Sequence, residues 1–193
     1  MNGYVIDANL YWFPESFFTD ENLAERFLSE IPVQYGIKGS LKINPETGLR
    51  QYVIEKPVGC ENLNYVQGDY VLENQLADMD RAGVERAVLK LSCQQEWMSL
   101  DMCRLFNDGM AEHVKASNGR MAALGVVPPI GSPAVFREVD RCLDELKFGG
   151  LQLSAHYGNL YLDDEAFASF FAYLNERQVT CYVHHVPVPV QYD

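Results

Sequence analysis

From residue 72 onward the chain alternates two textures, stretches with apolar positions at helical spacing and short, nearly continuous apolar runs. In "LENQLADMDRAG", Leu72, Leu76 and Met79 recur on one helical face and Gly83 supplies a left-handed stop, after which "VERAVLKLS" reads as a strand. Ser99 is placed to cap a helix whose Cys103, Phe106, Met110 and Val114 share a face, closed by "SNG" at 117–119 before the strand "MAALGVVPP". Pro133 sits in the first turn of the next helix, with Val135, Val139, Cys142 and Leu146 inward, and Gly149-Gly150 ends it before "GLQLSAH". Asp164 opens a last helix with Phe167, Phe170, Phe171 and Leu174 inward, followed by the strand "VTCYVHH".

Strands are therefore expected near residues 4, 86, 121, 150 and 180. The last four repeat every ~30 to 35 residues, the size of a strand-helix-strand unit, which predicts a parallel sheet. "RAVLKL" and "MAALGVV" lack strict alternation, as strands covered on both faces do. Polar residues collect at the carboxyl ends: Asp7 and Asn9, Ser92 and Gln94, Ser154 and His156, His184 and His185. In an open doubly wound sheet and in a closed barrel alike, ligands bind at that end.

Residues 13 to 71 break the rhythm. "PESFFTDENLAERFLSEIP" predicts one short helix, and the stretch that follows predicts a hairpin with "NPETG" turning "LKI" back into "RQYVIE". An insertion of this length after a first strand is expected to serve as a lid or a subunit contact.

Composition narrows the partners. The 193 residues are 48% hydrophobic, enough for one sizeable core, and 27 acidic against 15 basic side chains give a net charge of −12. That charge opposes nucleic acid and anionic membrane as partners. The N-terminus lacks a basic lead, no window approaches the ~18 to 20 apolar residues of a membrane span, and a cytoplasmic protein is expected. Five scattered cysteines without a Cys-x-x-Cys pair predict reduced, mostly buried thiols.

Of four histidines, His113 falls beside the apolar face of a helix and reads as a boundary residue. His156, His184 and His185 each close a predicted strand, where imidazole serves as metal ligand or proton carrier. No nucleophile elbow, phosphate loop or dinucleotide fingerprint accompanies them. Metal-assisted or acid-base chemistry remains.

The order of "DMDRAGVERAVL", "FNDGMAEHVKASNGRMAALGVVPP", "GGLQLSAHYGNLYLDDEAFASFF" and "VTCYVHHVP" resembles the amidohydrolase-related proteins, in the branch of aminocarboxymuconate-semialdehyde and gamma-resorcylate decarboxylases. The resemblance covers residues 72 to 187 well and residues 4 to 9 more loosely. It implies an α/β fold of the (β/α)8 TIM-barrel type, of which this chain supplies about the first five strand-helix units plus the insertion after strand 1. It also implies a divalent metal (zinc, manganese or magnesium) at the carboxyl end and a small aromatic or unsaturated carboxylic acid as substrate. By position His184 matches the family's metal-ligating histidine, with Asp7 supporting it.

Two departures stand out. Where the family carries histidines after its first strand, this chain reads Asn9-Leu10-Tyr11, and amide and phenol oxygens are poor substitutes for imidazole toward zinc. A metal-free site is therefore an equal expectation, with Asn9 and Tyr11 contacting substrate oxygen atoms. The chain also stops at "PVPVQYD", before three further units that in relatives bring a catalytic histidine and a metal-binding aspartate. Either the natural frame continues, the chain is partly ordered, or a partner chain completes the barrel, since an unpaired parallel edge and an open core face are unfavourable; a homo-oligomer is the other assembly expected.

The expected enzyme is a decarboxylase or hydrolase. His156, His185 and Tyr11 are its candidate catalytic residues, and Asn9, Tyr11, Trp12 and Lys56 its candidate substrate contacts, with Arg50 a further cation in the insertion. A hydratase of the same family and a non-catalytic binding or assembly subunit that keeps the barrel without the metal site are the rivals.

Overall fold

The computed structural model describes residues 4–32, 37–92 and 96–186, the side chain of Asn62 excepted. Gln94 and the terminal "PVPVQYD" lie outside the described residues. The chain begins with β1 (Ile6–Tyr11), α1 (Ser16–Thr19), α2 (Glu21–Ser29), β2 (Lys38–Ile43), β3 (Arg50–Glu55) and β4 (Glu61–Val66). It continues through α3 (Leu72–Ala82), β5 (Arg86–Lys90), α4 (Leu100–Ala116), β6 (Met121–Ala123) and α5 (Pro133–Asp140). Last come β7 (Leu151–Ser154), the short β8 (His156–Tyr157) and β9 (Leu160–Tyr161), α6 (Ala168–Glu176) and β10 (Cys181–His184).

All five strands of the expected rhythm are present and run parallel. β1 pairs β5, β5 pairs β6, and β7 pairs β10. A parallel bridge between Gly125 and Leu151 joins β6 to β7, giving the arc β1-β5-β6-β7-β10. The helices between them bury the residues their spacing implies: Met79 on α3; Cys103, Phe106 and Met110 on α4; Val135 and Val139 on α5. Their ends follow local chemistry. Gly83 takes the left-handed conformation (φ 69°) that stops α3, and the Ser99 hydroxyl accepts from Met102 N to start α4. Two boundaries differ from the spacing-based reading: α5 widens into a π-turn over Arg141–Glu145, and a 3-10 turn, Glu165–Phe167, precedes α6. The π-turn is wider and the 3-10 turn tighter than an α-helix, so both shift hydrogen-bond partners, while Cys142 and Phe167 in them stay buried.

The insertion folds into helices and an antiparallel sheet. β2 and β3 form the expected hairpin, with Ile43 opposite Arg50, and β4 adds a third antiparallel strand. Its anchor is Phe13, fully buried among Phe17, Phe18, Phe27, Tyr52, Tyr65 and Phe106 at centroid distances of 4.6 to 5.7 Å. Such ring pairs add about 0.5–1.5 kcal/mol each beyond area burial. Arg50 donates to Phe18 O and pairs Glu21, so it clamps the hairpin to α1 and α2.

The far side of the arc is bare by comparison. Tyr182 and Val183 on β10 and Tyr4, Val5 and Ile6 at β1 are exposed apolar residues on the two outer strands. Ala122, on the inward face of β6, is exposed as well. Cys60 and Cys181 are exposed free thiols while Cys103 and Cys142 are buried, so fewer of the described cysteines are buried than composition suggests.

Candidate active site

Parallel strands put laterally paired residues on the same face, so register tells which side chains enter the arc. Tyr11 lies beside Lys90, Gln152 beside Tyr182, and Ser154 beside His184. These six form a polar layer at the carboxyl ends, inside an otherwise apolar scaffold.

Contacts across this layer are specific. The Tyr11 hydroxyl and His184 Nε2 are 3.0 Å apart, joining the first and fifth strands of the arc. His184 Nδ1 hydrogen-bonds the backbone carbonyl of His185, whose ring stacks on it at 4.5 Å. Burial, reinforced by the positive charge of Lys90, pushes the His184 imidazole down to about 4, so it is neutral at physiological pH. Lys90 is fully buried, donates to Tyr182 Oη at 2.8 Å, and sits 5.2 Å and 4.2 Å from the ring centroids of Tyr11 and Tyr182. Gln152 spends both ends of its amide on Leu91, accepting from its N at 2.8 Å and donating to its O at 2.7 Å.

A second buried group lies where the insertion meets the barrel. Lys56 donates to Glu96 at 3.1 Å, and His156 Nδ1 is 3.6 Å from the same carboxylate. All three side chains are nearly inaccessible, at 6%, 3% and 2% exposed. Burial raises the Glu96 carboxyl above its ordinary range, and the charge and hydrogen bond of Lys56, with His156, oppose that rise. Lys56 comes from the insertion, Glu96 from the loop after β5 and His156 from the segment after β7, so one carboxylate ties three parts of the chain together.

The remaining sequence candidates disperse. Asp7 accepts from Asn9 N at 2.8 Å in the irregular stretch of β1, and both line an open groove beside α3 of about 400 Å³. Trp12 points away from the mouth into α4, edge-on to Phe106 and His113, and fits only because position 109 is glycine; a Cβ there would lie 2.6 Å from its ring. That makes Trp12 a packing residue. His113 bonds Gln75 at 2.9 Å at the α3–α4 boundary. Lys56 and Arg50 already hold carboxylates of the chain, Glu96 and Glu21. The contributors missed in the sequence are Lys90, Tyr182 and Glu96. Tyr182 carried a signal, a polar residue within an apolar strand, whereas Lys90, at a strand end, and Glu96 carried none.

Judged by donor chemistry, the described residues do not fit a divalent ion. Asn9 and Tyr11 stand where imidazoles would be needed, and the His184 Nε2 that its Nδ1–carbonyl bond leaves as the ligating lone pair already faces the Tyr11 hydroxyl. Among the described residues no three His, Cys, Asp or Glu side chains gather closely enough to share an ion.

Residues 67–192 match the sequence profile of the amidohydrolase family. The chain belongs to that family. Its arc of parallel strands also superposes on solved amidohydrolase-type TIM barrels. A 5-carboxyvanillate decarboxylase from Novosphingobium aromaticivorans, complexed with manganese and 4-hydroxy-3-methoxy-5-nitrobenzoic acid, matches at TM-score 0.69 and 23% identity over 98% of this chain and 52% of its own. A 2,6-dihydroxybenzoate decarboxylase from Rhizobium matches at 0.54 and 23% over 63% and 42%. A dihydroxybenzoic acid decarboxylase from Polaromonas, with bound manganese and 2-nitroresorcinol, matches at 0.60 and 18% over 96% and 51%. At these identities the likeness establishes the fold, and this amidohydrolase chain spans about half the length of the structures it matches. The open inward face of the arc follows, because three strands of an eight-stranded barrel are not part of it. No helix among the described residues is long and apolar enough to cross a membrane.

Proposed function

We propose that this amidohydrolase chain forms the substrate-binding part of a decarboxylase acting on a small aromatic or unsaturated carboxylic acid. The observation that carries the reading is the Tyr11–His184 contact, which closes a polar mouth between the first and fifth strands at the end of the fold where ligands bind. The solved relatives named for hydroxybenzoate-type acids support the substrate class.

Within this reading His156, oriented by Glu96, carries the proton. It protonates the ring carbon that bears the carboxylate, the carbon–carbon bond breaks, its electron pair returns to the ring, and carbon dioxide leaves. Tyr11 and His184 hold a phenolic oxygen of the substrate by hydrogen bonds, and His185 borders the entrance. Lys56 acts through Glu96 and does not touch substrate. No step is assigned to a metal ion.

The test is incubation of the purified full chain with a panel of hydroxybenzoates while carbon dioxide is measured, before and after chelator treatment. Gas release that survives chelation is expected. Absence of gas from every acid, or addition of water to an unsaturated acid instead, would remove the decarboxylase reading.

A further inference from the structure

A buried ammonium is costly unless an opposite charge compensates it. Lys90 is 0% exposed, yet among the described residues it meets no carboxylate. Its partners are one phenol and two aromatic faces. Cation–π contacts are worth about 0.5–2 kcal/mol each and leave the charge itself in place. Two of its three N–H donors have no hydrogen-bond acceptor among those partners. Gln152, the inward amide beside Tyr182 in register, is committed at both ends to Leu91.

A second observation points the same way. The Ser154 hydroxyl, beside His184 in register, is fully buried and has no hydrogen-bond partner among the described residues. A cation without an anion and a hydroxyl without an acceptor among the described residues thus share one inward layer. Access is short, because the residue covering Lys90 is Tyr182, itself 36% exposed on an outer strand.

We propose that Lys90 is the anion receptor of the mouth, taking the carboxylate of the substrate while Ser154 donates to its second oxygen, with Tyr182 as a cover that swings aside. This deepens the reading of the mouth as a carboxylic-acid site and rests on it. It supplies the positive charge that the described donors do not gather as a metal site. It also reassigns the role expected of Lys56, whose charge is already neutralised by Glu96.

The test is calorimetric titration of the full chain with 2,6-dihydroxybenzoate and with resorcinol, the same ring without the carboxylate. Wild type prefers the acid; Lys90→Met binds it at least about tenfold more weakly, about 1.4 kcal/mol, with resorcinol affinity unchanged, and Lys90→Arg retains part of the preference. Equal acid binding by wild type and Lys90→Met overturns the proposal, as does a wild type that binds neither compound or both alike. A lower melting temperature of unliganded Lys90→Met also overturns it, since that marks a structural cation paired by some other carboxylate. Gas release separates the two readings. Lys90-dependent acid binding without carbon dioxide sinks the decarboxylase and keeps the receptor, whereas equal gas release with and without Lys90 sinks the receptor alone.

Discussion

Lys56 and Lys90 are both buried at the carboxyl ends of the arc, at 7% and 0% exposure, and their surroundings are opposite. Lys56 faces a carboxylate that also approaches His156, and the three side chains join insertion to barrel. Lys90 faces tyrosine rings and a phenol. In one region the charge is neutralised and its work is cohesion. In the other it stays available, and its work is recognition.

The comparison breaks first if Lys56 proves dispensable. Lys56→Met leaves Glu96 buried without its cation and should cost about 3–5 kcal/mol in urea unfolding at neutral pH, with most of the loss recovered when Glu96→Leu is added. The same carboxylate sets a pH dependence. Because burial holds the Glu96 carboxyl above its ordinary value, the folded chain keeps that proton more tightly than the unfolded chain. Its contribution is complete below the ordinary carboxylate range and is lost as pH rises through the raised value. Melting curves from acid toward neutral pH should show that decline in wild type, and Glu96→Gln should flatten it.

A smaller effect is expected across the mouth. Tyr11→Phe removes the hydroxyl from His184 Nε2, costing about 1 kcal/mol of stability and lowering kcat for the acid more than it raises KM. The smallest is the most telling. Lys90→Met should change unfolding free energy by less than about 0.5 kcal/mol, because the lost cation–π contacts and hydrogen bond are offset by relief of an ammonium buried with no carboxylate among the described residues. Equal destabilisation by the two lysine variants would erase the distinction between the regions.

Much of this was legible in the chain. The five parallel strands follow from apolar runs separated by helical stripes, and the Ser99 and Gly83 signals fall where the helix ends do. Tyr11 and His184, 173 residues apart, were both marked by their position at a strand end, though nothing local says that they touch. Lys90 was hidden by its context. At the end of "RAVLK" a lysine reads as the point where a strand meets solvent, and only register with Tyr11 turns it inward. Glu96 was illegible because its partner Lys56 sits 40 residues upstream on a hairpin whose docking depends on the Phe13 aromatic cluster. Trp12 misled for a related reason. An aromatic residue just past a strand end suggests a pocket wall, and the space left by Gly109 draws it into the core instead.

The most direct measurement is a crystal structure of the full chain with 2,6-dihydroxybenzoate bound. The carboxylate is expected within about 3 Å of Lys90 Nζ, with the ring lying between Tyr11 and His156 and the Lys56–Glu96 pair intact. A carboxylate held by a metal ion, or seated on the outer groove beside Asp7 and Asn9 with Tyr182 still closed over Lys90, would contradict the account.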